Sequence, residues 1–193
     1  MKSLTQLSDQ ALINQYLGGD AQAFSALVLR YQSKLYTSIY LLLKDRSQAE
    51  DMFQDLLIRV IDKLKKGLYK EEGKFLPWLM RIAHNMCLDH FRKVKRLPIM
   101  KMSNDADFFE QFELASPDCE TNMISKETSL QITEMLDMLP DEQREIIILR
   151  HYADLTFKEI AVLKNISINT ALGRMRYGLM NIRKTMVEKQ VML

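Results

Sequence analysis

The chain has 193 residues, 47% of them hydrophobic, with six glycines and four prolines, so it can bury one core or two smaller ones and has room for long helices. Its formal charge of +2, from 27 basic and 25 acidic side chains, decides nothing by its size, so the placement of charge carries the information. Cys87 and Cys119 exclude a disulfide framework, and no signal peptide or membrane-length apolar run is visible, which points to a reduced, cytoplasmic setting without membrane insertion.

Amphipathic runs recur throughout and no sustained β-branched alternation interrupts them, so the expected class is all-α. Ser8 is placed to cap a short helix, Asp9 to Leu17, which Gly18 and Gly19 end. Asp20 is placed to cap a second, reaching about Leu43, with Phe24, Leu27, Val28, Tyr31, Leu35, Ile39 and Leu42 at three- and four-residue spacing. Ser47 and Glu50 have capping-box spacing, which predicts a third helix from about Gln48 to Lys66, stopping at Gly67. Its inner face is Met52, Phe53, Leu56, Leu57, Val60, Ile61 and Leu64. Its outer face carries Glu50, Asp51, Gln54 and Asp55, either a solvated face or a dock for something basic.

A loop from Gly67 to Phe75, carrying Tyr69 and Lys74, leads into the stretch around which the chain is organised, Phe75 to Arg96. As a helix, its Arg81, Asn85, Asp89, Arg92 and Arg96 fall within about 80° of one another. Leu79, Ala83, Met86, Cys87 and Val94 take the other side. The stripe's arginines and amide suit phosphates and base edges, and Lys93 and Lys95 deepen its positive end. Trp78 lies near the stripe, where it either caps the core or offers a flat surface to an unstacked base. The adjoining loop is either one wall of a pocket for an extruded base or an ordinary connection. His84, Cys87 and His90 spread over about 120° without a fourth ligand, so no metal site is expected, and Cys87 and His90 are expected to face the core. No phosphate-binding glycine loop, dinucleotide fingerprint or nucleophile-base pairing is present, so neither an enzyme nor a cofactor is expected.

From Met102 to Thr121 there are six acidic residues and no Lys or Arg, and residues 98–117 read as an acidic linker between domains at 1–97 and 118–193. The second domain opens with a helix through Met138 that ends at Leu139 and Pro140, followed by a helix from about Asp141 to His151. Thr156 and Glu159 have capping-box spacing for a short helix, Phe157 to Lys164; Asn165 and Ile166 turn the chain. Ser167 caps the last helix, Ile168 to about Lys189, which carries Arg174, Arg176, Arg183 and Lys184. A short helix, a tight turn and a longer basic helix form the helix-turn-helix pattern, although plain packing pairs share it. Gly178 inside that helix costs about 1 kcal/mol of propensity against Ala.

The runs LINQYLGGDAQAFSALVLRY, AEDMFQDLLIRV, FLPWLMRIAHNMCLDHFRK, LPDEQREIIILRHYADLTFKEIA and ISINTALGRMR, in this order and spacing, resemble bacterial sigma factors of the extracytoplasmic-function group. The resemblance covers nearly the whole chain. It implies two helical domains, one for the promoter −10 element and one for −35, on a subunit that directs core RNA polymerase to promoters and aids melting. It places polymerase docking on Asp51, Gln54 and Asp55, bordered by Arg59. It places −10 recognition of melted single strand on Asn85 beside a flipped-base pocket, with the 67–75 loop as pocket loop. Tyr69, Lys74, Trp78, Arg81, Asp89, Arg92, Lys93 and Arg96 complete that surface. Duplex recognition at −35 falls on Thr170 and Arg174, with Ser167 and Asn169 at the helix start; Arg176 and Lys184 go to phosphates. Leu172, Gly173 and Tyr177 depart from residues frequent in the family, which touches the readout at −35. The resemblance also implies that the two domains clamp an anti-sigma factor in the resting state, with the linker setting their separation. The competing reading is a helix-turn-helix regulator that binds duplex DNA without polymerase.

Overall fold

Helix boundaries in the first half of the chain are set by local capping chemistry. In the computed structural model, which describes residues 4–70, 73–94 and 132–188, Ser8 Oγ accepts from the Ala11 amide at 3.3 Å and starts α1 (Asp9–Leu17). Asp20 accepts from the Gln22 amide at 2.9 Å and starts α2 (Ala21–Leu43). Lys44, in the left-handed region at φ 59°, ends α2, and Asp45 follows in extended conformation. Asp45 therefore caps α3 (Arg46–Lys65), accepting from the Gln48 amide at 2.9 Å. The expected Ser47–Glu50 box does not form: Ser47 already lies inside the helix, and Glu50 takes Arg46 Nε at 2.9 Å instead. The chain's exit from α2 leaves Asp45 at the right backbone angle before Ser47 is reached.

α2 packs against α1, α3 and α4 (Phe75–Val94), and the core between them holds Leu12, Leu27, Leu35, Ile39, Leu56, Val60, Leu79 and Met80. Two expectations for α4 need correction: Val94 is 47% exposed and His90 only half-buried. No residue of α4 beyond Cys87 is fully buried, so the helix outruns the partners that cover its first half. His84 and Cys87 lie inside the core. The linker at 98–117 and Arg96 lie outside the described residues.

Asp9 ties α1 to α2, accepting from Arg30 Nη1 and from the Tyr31 hydroxyl, both at 2.5 Å. Burial, then the hydrogen bond and charge of Asp9, push the Tyr31 hydroxyl up from 10.0 to about 12. Burial first, with Glu50 adding to it, does the same for Tyr36. A raised tyrosine pKa means the folded chain keeps protons that the unfolded chain has released, so stability is full below pH 10 and falls as pH rises toward 12. The thermal midpoint should drop across that window, and Tyr31→Phe should flatten the drop; an unchanged slope in the variant would remove Tyr31 as a contributor.

The described residues 132–188 belong to a second compact unit. Its described helices are α5 (132–137), α6 (Asp141–Ile147), α7 (Phe157–Lys164) and α8 (Ile168–Glu188). The expected continuous α-helix to His151 is broken, because Ile148–Tyr152 widens into a π turn. That turn carries Ile148 and Leu149 into the core and leads to buried Ala153 and Leu155. Both halves of the Thr156–Glu159 capping box form, at 3.3 and 2.8 Å. Asn165, at φ 52°, ends α7, and Ser167 Oγ accepts from the Thr170 amide at 3.0 Å to start α8. Lys164 and Glu145, both largely buried, form an ion pair between α7 and α6. Gly178 is buried where α8 crosses α6, and a Cβ there would lie 2.9 Å from Ile147 Cδ1. The glycine's propensity cost thus has a compensating role, the close approach of two helices. Among the described residues there is no strand.

Candidate docking and nucleic-acid surfaces

The inner face of α3 is held by Ala49, Leu56, Val60 and Leu64, all buried, so the opposite face is turned to solvent. Phe53 stands edge-on to Tyr36 with ring centres 5.9 Å apart, and Met52 Sδ lies 3.4 Å from Cys87 Sγ of α4, which fixes the helix against both neighbours. Asp51, Gln54, Asp55 and Arg59 are all exposed on the outward side. Among them stands Ile58, 65% exposed, which sequence reasoning passed over. Its signal was available: Ile58 follows Gln54 and Asp55 at helical spacing and so shares their face. Carboxylates, an amide and one large apolar side chain on a single rigid face complement a surface that is basic and partly apolar.

The second surface joins α4 to the loop before it. Gly67 and Gly73 have φ of 64° and 67°, a region that L side chains rarely adopt, so these two glycines shape the loop. The rings of Tyr31, Tyr69 and Trp78 form a connected cluster around that of Phe75. Tyr31 lies 5.8 Å from Phe75, Tyr69 lies 5.2 Å from Phe75 and 4.9 Å from Trp78, and Phe75 stacks on Trp78 at 5.7 Å. Phe75 is buried, whereas Tyr69 and Trp78 are half-buried. Trp78 leans on the core through Phe75 and is half-buried. Lys74, Arg81, Asn85, Asp89, Arg92 and Lys93 are exposed. Arg92 Nη1 reaches Asp89 Oδ1 at 3.2 Å, a solvent-exposed pair of little energetic weight that orients the arginine.

In the second unit, the first turn of α8 presents Ser167, Asn169 and Thr170, all exposed, with the Ser167 and Thr170 hydroxyls 2.8 Å apart. Arg176 and Tyr177 are exposed beyond them, as is Lys184, whose Nζ lies 3.8 Å from Glu188. Arg174 differs. Its side chain is only 23% exposed, and Nη2 is paired with Glu142 Oε2 of α6 at 2.6 Å. Sequence reasoning missed Glu142 because the pairing arises from two helices crossing.

Comparison with known proteins covers both units. The Sigma-70 region 2 family profile matches residues 27–97, and the Sigma-70, region 4 profile matches residues 129–172. The RNA polymerase sigma-H factor of Pseudomonas aeruginosa is 30% identical over 177 residues, covering 89% of this chain and 90% of that protein. The ECF RNA polymerase sigma factor SigW of Bacillus subtilis is 29% identical over 186 residues, covering 89% and 93%. Among solved structures, CnrH in complex with the cytosolic domain of CnrY aligns with a TM-score of 0.64 at 18% identity, covering 93% of this chain and 97% of that one. The sigma factor RpoE in complex with the anti-sigma factor NepR from Bartonella quintana also gives 0.64, at 19% identity, covering 85% and 96%. At those identities the structural likeness is one of fold.

Proposed function

The chain belongs to the extracytoplasmic-function group of the sigma-70 family and is an RNA polymerase sigma factor, and on that premise we propose how its surfaces divide the work of initiation. The outer face of α3 docks on core polymerase through Asp51, Gln54, Asp55 and Arg59, with Ile58 filling an apolar recess between the polar contacts. The α4 stripe and its loop bind the melted −10 strand, and the start of α8 binds duplex DNA at −35. These assignments give residues 1–97 the work of sigma region 2 and residues 118–193 that of region 4, with 98–117 as the connection. The chemistry of RNA synthesis belongs to polymerase, and the reading assigns no catalytic group to this chain. No helix among the described residues is long and apolar enough to cross a membrane.

Base extrusion costs a few kcal/mol, which stacking and edge contacts must offset. Stacking on an aromatic surface contributes about 1–3 kcal/mol per base, and Trp78 and Tyr69 offer that surface. Asn85 carries both a donor and an acceptor, the pair needed to read a base edge. Lys93 and Arg96 serve phosphates, so promoter affinity should weaken with salt. The observation that carries the reading is the exposed polar stripe of Arg81, Asn85 and Asp89 on the same helix as half-buried Trp78, whose ring packs against Tyr69 of the preceding loop. Asn85→Ala should leave assembly with core polymerase unchanged and reduce promoter opening by roughly tenfold, on the order of one lost base contact. Core titration alongside permanganate footprinting of the melted region separates the two; equal losses in both assays would remove the pocket assignment.

RpoE was solved in complex with the anti-sigma factor NepR and CnrH in complex with the cytosolic domain of CnrY, and together with the family resemblance this supports a comparable anti-sigma partner here. Growth conditions that leave the protein fully active and without any co-purifying partner would count against that part of the proposal.

A further inference from the structure

Three side chains of α6 reach α8 side by side. Glu142 pairs with Arg174 at 2.6 Å, Gln143 Oε1 accepts from Asn181 Nδ2 at 2.9 Å, and Ile147 fills the notch over Gly178. The notch and the amide bond fix the crossing, so the carboxylate of Glu142 stands at a set place relative to the recognition helix. Glu142 also lies in the first turn of α6, where the helix dipole favours a negative charge.

An arginine fork has five donors in one plane. Glu142 takes one of the two Nη2 hydrogens, so the other Nη2 hydrogen and the donors on Nη1 and Nε remain for another acceptor while the plane is already oriented. A freely exposed arginine such as Arg176 must instead lose its rotamer freedom when it binds. Glu142 is itself 69% exposed, so its carboxylate also repels nearby DNA phosphates, an effect that solvent and salt weaken.

We propose that Glu142 is a positioning residue for −35 recognition: by holding one edge of the Arg174 guanidinium it presents the other edge to the base pairs, exchanging some general DNA affinity for discrimination. This rests on the assignment of Arg174 to −35 contact. The two effects move in opposite directions when Glu142 is removed, which a merely structural residue would not produce.

The test uses full-length protein assembled with core polymerase and applied to a pool of genomic promoter fragments; the retained fragments are sequenced, and retention on a random-sequence duplex is measured beside them. For Glu142→Ala the expected result is a −35 motif whose preference falls by roughly tenfold at the positions that Arg174→Ala also blurs, the scale of one oriented arginine contact. The −10 motif stays as sharp as in the wild type, and retention of random duplex is equal or higher. Glu142→Gln, which keeps an oxygen for Nη2, should recover part of the preference. A −35 motif that Arg174→Ala blurs and Glu142→Ala leaves sharp would overturn the role of Glu142 alone. A motif that neither variant alters would overturn the Arg174 assignment and this inference with it.

Discussion

Asp51→Arg is expected to weaken assembly with core RNA polymerase by more than tenfold while the free protein stays folded. Asp51 is exposed on the outward face of α3, opposite the buried Ala49, Leu56, Val60 and Leu64, so reversing its charge disturbs no packing. Surface substitutions of this kind usually change stability by about 0.5 kcal/mol or less. At a docking interface the same change replaces an attraction by a like-charge contact with the basic partner surface, and a lost charge pair there costs about 2–5 kcal/mol. Titration of labelled core polymerase, with thermal melting as the control, reads both quantities. Ile58→Ala is the companion variant: an apolar anchor removed from a desolvated recess should also lose roughly tenfold or more, without any change in charge. Unchanged affinity in both variants would move the docking site off α3. Loss with Asp51→Arg alone would keep the dock and discard the recess.

The second large effect is expected at Gly178. Gly178→Leu should destabilise the C-terminal unit by about 3 kcal/mol or more, through overpacking at the α6–α8 crossing. Gly178→Ala sets two opposing terms against each other. Alanine gains roughly 0.8–1 kcal/mol of helix propensity, whereas its Cβ meets Ile147 Cδ1 at 2.9 Å and Gln143 Cβ at 3.4 Å. The nearer atom is the end of a flexible side chain, so the alanine variant should lie within about 1 kcal/mol of wild type. Ile147→Val, which shortens that end, should make Gly178→Ala the more favourable residue. Denaturant unfolding of the full chain, followed by a probe in the C-terminal unit, checks the series. A leucine variant as stable as wild type would show that the two helices do not depend on their close approach. The same crossing orients Glu142 against Arg174, so a displaced α8 should also lose its −35 preference.

Much of the architecture was legible because it is local. Ser8, Asp20, Thr156 with Glu159, and Ser167 announce helix starts through hydrogen bonds that span three residues or fewer, and each bond is present. The start of α3 was harder because Asp45 and Ser47 both qualify as caps. The choice fell to the left-handed turn at Lys44, a feature of how α2 ends. Ile58 was legible in principle, since its spacing sets it with Gln54 and Asp55 and apart from Leu56, Val60 and Leu64; the packing of α3 shows how far it stands in solvent.

By itself the sequence determined the all-α class, the order of the helices, the caps at Ser8, Asp20, Thr156 and Ser167, and the exposed stripe of Arg81, Asn85, Asp89 and Arg92 on α4. All of these follow from periodicity and from hydrogen bonds between near neighbours. Tertiary structure alone decided that the turn after Ile147 widens, that Gly178 serves a helix crossing, and that Arg174 is held by Glu142. The last two depend on groups far apart in the chain meeting at a few ångströms, a distance that no local pattern encodes.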